Sequence, residues 1–76
     1  IGLSSTEWLF IVVAIGTVLA AEAINSSIEA LSDLVSPEYN EAIKRTKDLA
    51  AGAVLILSIA AAITGLIIFL PKLTLL

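Results

Sequence analysis

From Leu49 to Leu70 the chain carries no charged residue. An α-helix needs roughly 20 apolar residues to cross the hydrocarbon of a bilayer, and this run supplies them. Pro71 and Lys72 follow and are expected to end it. A second apolar run, Trp8 to Ala21, is broken only by Gly16 and Thr17, both tolerated in membrane helices. A soluble chain of 76 residues has too small a core to hide two such runs. Composition agrees: 59% of the residues are hydrophobic, against about 45–50% in ordinary soluble domains.

The first run is short for a span. It crosses a membrane only if its helix continues into the polar stretch AEAINSSIEALSD, residues 21–33, which then sits near the membrane edge or inside a protein bundle. The helix start is marked by SSTE, residues 4–7, a capping box with Ser4 as N-cap and Glu7 reaching back. No breaker appears before Ser36-Pro37, which reads as an N-cap followed by proline at a first helical position. Helices are therefore expected over about 5–35 and 37–70, in one all-α membrane domain covering 1–76: an antiparallel hairpin whose two helices extend past the membrane on the same side. Lys44, Arg45 and Lys47 make that side cytoplasmic by the positive-inside rule, with Lys72 a weak counter-signal. Trp8 suits the opposite interface.

With neither cysteine nor histidine, the chain has no disulfide, no thiolate nucleophile, no zinc site of the usual kind and no His-dependent triad. The net charge of −3 argues against a nucleic-acid partner. A metal would be held by carboxylates and carbonyls, which favours a hard ion such as magnesium. Glu7, where a signal peptide would be positive, argues against that reading of the first run. The start at Ile1 rather than Met suggests a fragment or a processed product.

On a helical wheel, Asn25, Ser26, Glu29 and Asp33 fall within about 60° of Glu22, while Ile24, Ile28, Leu31 and Leu34 fall on the other side. The helix thus carries one acidic and one apolar stripe. A solvated face would account for Asp33. It fits Glu22 poorly, because a charge so close behind an apolar run is costly and points to function. Two carboxylates about 10 Å apart along one face can divide labour. Glu22, nearer the membrane, can take a proton, and Glu29, nearer water, can stay ionised and hold a metal.

In the second helix Glu41, Lys44, Arg45 and Asp48 share a face, with Lys47 about 100° round from Asp48. Lys44 and Arg45 read as interfacial anchors, and Lys47 as a neutraliser of phosphate charge. After Asp48, AAGA leaves room for a lipid head at Ala51, or for close helix contact. No Walker A loop, GxGxxG or nucleophile elbow is present.

The stretch EAINSSIEALSDLVSPEYNEAIKRTKDLAAGAVLI, with E-x-x-N-[ST]-x-I-E, then D, E-Y and K-D followed by small residues, resembles the signature of the small bacterial diacylglycerol kinase and undecaprenol kinase family. The resemblance implies a homotrimeric helical bundle in the bacterial inner membrane, its active sites shared between subunits at the cytoplasmic face. Its substrates would be MgATP and a lipid hydroxyl, of diacylglycerol or undecaprenol. Glu22 looks like the family's general base on that hydroxyl, and Glu29 like its metal carboxylate, also at ATP. Lys47 and Asp48 match positions close to ATP, and Glu38, Tyr39 and Asn40 the segment over the nucleotide. Asn40 stands where some members have His. Asn25 and Asp33 match other polar positions of the active site. Family members carry an amphipathic helix and another transmembrane helix ahead of this region, which bring a second metal carboxylate. The chain alone is therefore expected to have little or no kinase activity until those helices are restored. Two other readings are a non-catalytic hairpin packed in a larger membrane complex and a proton-carrying rotor hairpin. The rotor type carries its acid in the second span, which has none here.

Overall fold

The structure, a computed structural model, describes residues 2–74. Two helices, α1 (Ser5–Val35) and α2 (Glu41–Thr74), lie side by side as an antiparallel hairpin. The molecule is 55 Å long and only 18 × 14 Å across. A bilayer's hydrocarbon is about 30 Å thick, so the rod is longer than a span requires. Both helices are long and apolar enough to cross a membrane.

The start of α1 is the expected capping box: Ser4 Oγ accepts from the Glu7 N–H at 3.1 Å, and Glu7 Oε1 accepts from the Ser4 N–H at 2.9 Å. Its end is Ser36, whose N–H bonds the Ser32 carbonyl at 2.9 Å.

The start of α2 differs from the expectation at residue 37. Ser36 closes α1 instead of opening α2, and its hydroxyl donates to the Glu38 carbonyl. Pro37 stays in the connection, and Asn40 is the cap: its Oδ1 accepts from the N–H groups of Ala42 (2.9 Å) and Ile43 (3.2 Å). Both sites offer cap chemistry; the chain uses the later one after five residues of connection. At the other end α2 does not stop at residue 70 but carries Pro71 inside its last turns. There Lys72 reaches Glu7 of α1 at 3.1 Å, which holds the final turn against its neighbour.

The helices meet along a narrow seam. The residues of α1 with reduced exposure recur at steps of three and four: Ile11, Ala14, Val18, Ala21, Asn25, Ile28 and Ser32. On α2 the corresponding row is Ile43, Lys47, Ala50, Val54, Leu57, Ala61, Gly65 and Ile68, with Gly52, Ser58, Thr64 and Lys72 also of reduced exposure. This is the spacing of a coiled-coil seam, with small residues that let two backbones approach in lipid. Among the described residues only Ile68 and Ser32 are buried, so the hairpin has no interior of its own. Ile24, Leu31 and Leu34 of the apolar stripe are exposed, Leu34 by 81%, and only Ile28 turns towards α2.

The two ends of α1 and α2 yield separate tests. Removing the Asn40 cap by Asn40→Ala should destabilise the hairpin by about 1 kcal/mol, whereas Ser36→Ala should cost less. Thermal melts in detergent measure both. Glu7 precedes the apolar run, and the Ser4 backbone N–H, then Lys72, hold its carboxyl below the usual range. Its contribution is therefore present above the ordinary carboxylate pKa of about 4.3 and lost as the pH falls through and below it. Glu7→Gln should lower the melting temperature near neutral pH, and the difference from wild type should shrink as the pH approaches about 3.

Candidate active site

The seam decides where the acidic stripe points. Its direction on α1 lies about 70° from Glu22 on the wheel, so Glu22, Glu29 and Asp33 stand on one flank of the hairpin, exposed. Asn25 is turned into the seam, and its Oδ1 is buried there without a hydrogen bond.

On α2 Lys47 leans to the same flank, and its Nζ donates to Asp33 Oδ1 across the seam. That hydrogen bond raises the Lys47 ammonium above its ordinary range. Desolvation partly opposes the shift, and the charges of Asp33 and Glu29 add to it. Lys47 is accordingly a fixed positive charge beside two carboxylates.

Asp48 does not join this group. It lies on the outer side of α2, where its Oδ2 takes a hydrogen bond from Lys44 Nζ at 3.0 Å, one turn back. Lys44, read above as an anchor, is thus the partner of Asp48, at the i,i+4 spacing visible in sequence.

A shallow concavity of about 260 Å³ lies where the connection crosses the hairpin's end, lined by Asp33, Glu38, Tyr39, Asn40 and Lys47 among others. Five residues singled out from sequence therefore surround one space. Asn40 borders it with its Oδ1 committed to the α2 cap, which leaves only its Nδ2 free to reach a ligand. Glu22, Glu29 and Ala51 lie further along the rod, outside this concavity.

Register supplies the depth of each group. Glu7 pairs with Lys72 and Asp33 with Lys47, so positions whose numbers sum to 79 or 80 stand level. Glu29 is then level with about Ala50, at the edge of the uncharged run of α2. Glu22 is level with Leu57 and Ser58, about 12 Å past Leu49 along the helix. It therefore lies inside the level of the apolar span rather than at its edge. A carboxylate at such depth needs a protein or water-lined surround, and α2 covers only the seam beside it.

Among the described residues no three acidic side chains converge as a metal cage. Magnesium, however, is commonly held by one or two carboxylates plus substrate phosphates. Glu29 suits that manner of binding: it is exposed, unpaired among the described residues, and near a cation that can share a phosphate.

Known proteins resemble this chain over most of its length. The family model described as prokaryotic diacylglycerol kinase matches residues 1–69. An undecaprenol kinase of Bacillus subtilis is 42% identical over 71 residues, covering 93% of this chain and 58% of that protein. A diacylglycerol kinase of Synechocystis is 46% identical over 57 residues, 74% of this chain and 33% of its own. One from Escherichia coli K12 is 45% identical over 51 residues, 67% and 42% respectively. The chain thus spans between a third and three-fifths of these relatives. No solved structure matches it significantly. With its helical hairpin, its acidic flank and a family match running almost from end to end, the chain belongs to the prokaryotic diacylglycerol kinase family.

Proposed function

We propose that this chain forms the catalytic hairpin of a membrane lipid kinase, one that moves the γ-phosphate of ATP to the hydroxyl of diacylglycerol or undecaprenol. The observation that carries the reading is the acidic flank of α1: Glu22, Glu29 and Asp33 stand in file at three depths, uncovered by α2, with Lys47 at the polar end.

The file suits a reaction between a lipid and a water-soluble donor. Tyr39, Asn40, Glu38 and Lys47 border the nucleotide end, where Lys47 exchanges Asp33 for phosphate oxygens. Family likeness sets Asp48 near ATP as well, although within this hairpin it faces the outer side of α2, held by Lys44. Glu29 would hold magnesium, which supplies charge neutralisation for the transferring phosphoryl group. Glu22, two turns deeper, accepts the proton of the lipid hydroxyl, and Ala51, level with Glu29, leaves room for the lipid head. The freed oxygen attacks the γ-phosphorus in line, the β–γ bridge breaks and ADP leaves with the bridging oxygen. Asn25, in the seam between the two glutamates, is suited to orient them.

The uncovered carboxylate at Glu22 calls for neighbours. By family likeness these are further helices and two more copies, in a homotrimer of the bacterial inner membrane whose active site faces the cytoplasm. The charges of Lys44, Arg45 and Lys47 near the connection support that orientation.

The two carboxylates should separate in kinetics. Glu22→Gln in the full-length gene product should lower kcat by at least 10²-fold, the scale of general base catalysis, with ATP binding nearly unchanged. Glu29→Gln should instead weaken MgATP binding and leave the lipid KM nearly unchanged. Steady-state transfer of labelled phosphate and nucleotide titration read both. Collapse of ATP binding in Glu22→Gln would overturn the base assignment.

A further inference from the structure

Ser58 is the one serine in the uncharged run of α2, and its surroundings differ from those of Thr64, the other hydroxyl there. Thr64 returns its Oγ1–H to the Ala60 carbonyl at 2.9 Å, the usual way for a hydroxyl on an apolar helix to be satisfied. Thr17 and Ser27 on α1 do the same, to Ala14 and Ala23. Ser58 makes no such bond, although the Val54 carbonyl is available one turn back. A hydroxyl left unbonded at that depth in a bilayer is costly unless it has another partner.

Two geometric facts say where that partner lies. By the register of the ion pairs, Ser58 is level with Glu22. On the wheel it lies about 60° from the seam direction of α2, turned the same way as Lys47, and Lys47 meets the acidic flank of α1. Glu22 and Ser58 therefore stand at one level on the same side of the seam.

We infer that Ser58 is a lipid-binding residue of this enzyme, its Oγ–H donating to the oxygen of the lipid hydroxyl whose proton Glu22 takes. The inference rests on the lipid kinase reading. The chemistry balances on one oxygen: its O–H donates to the Glu22 carboxylate, one lone pair accepts from Ser58, and the other remains for the phosphorus. The bond is formed only when lipid is present, so Ser58 acts on the lipid alone and leaves the nucleotide end, about 16 Å away along the helix at Lys47, untouched. A ligand that fits is a primary alcohol on an apolar chain, delivered beneath the headgroup level.

The test is steady-state kinetics of the full-length gene product in mixed micelles, with diacylglycerol and undecaprenol as the two lipids used. Ser58→Ala should raise the KM for the accepted lipid about 5–10-fold and leave the KM for ATP within twofold. Ser58→Thr, which keeps the hydroxyl, should restore the lipid KM to within twofold of wild type. An unchanged lipid KM in Ser58→Ala overturns the inference while the kinase reading stands. Equal rises in both KM values, or no rescue by threonine, also overturn it, because they indicate packing damage. A wild-type protein that phosphorylates neither lipid overturns the kinase reading itself, and this inference with it.

Discussion

Asp33 and Lys47 meet across the seam at one end of the hairpin, and Glu7 and Lys72 meet at the other. Between them these pairs set how far one helix is slid along its neighbour. A shift of one turn would move every acidic group of α1 by about 5 Å relative to the apolar span of α2. The depth of Glu22, the edge position of Glu29 and the closeness of Asp33 to the connection all depend on that setting. Neither pair needs to be strong to do this, since register is a choice among alternatives rather than a sum of stabilities.

The seam has a second consequence. It occupies the side of α1 between the acidic and apolar stripes, so both stripes remain open. The apolar stripe, with Ile24, Leu31 and Leu34 exposed, is suited to lipid tails or to neighbouring helices. The acidic stripe is open both along the level of the apolar span and at the connection. On the proposed lipid kinase reading, this flank is where a water-soluble phosphate donor and a lipid alcohol would meet.

Much of this was legible in the sequence. The uncharged run from Leu49, the capping box at Ser4 and the gathering of Glu22, Asn25, Glu29 and Asp33 on one side all follow from local composition and the period of a helix. The start of α2 was not. Ser36-Pro37 and Asn40 offer comparable caps, and the chain's return path, which is not a local property, selects Asn40. The seam was not legible either. In water the apolar stripe would have been buried first; in a membrane helix apolar residues gain little by meeting one another, and small residues at steps of three and four decide the contact. Depth was hidden for a related reason. It needs pairings between residues far apart in the chain, and Lys47 with Asp33 cannot be chosen over Lys47 with Asp48 from spacing alone.

One flank of the hairpin carries Glu22 inside the level of the apolar span and Asp33 at the polar end. The chain has no cysteine, so a single one introduced for a spin label reports on its own position. Labels at positions 22, 33, 47 and 58 in reconstituted vesicles, with relaxation by oxygen compared with relaxation by a water-soluble nickel chelate, measure that depth directly. Equal depths are expected at 22 and 58, about 10 Å or more beneath those at 33 and 47. A label at 22 as open to the chelate as one at 33 would contradict this placement.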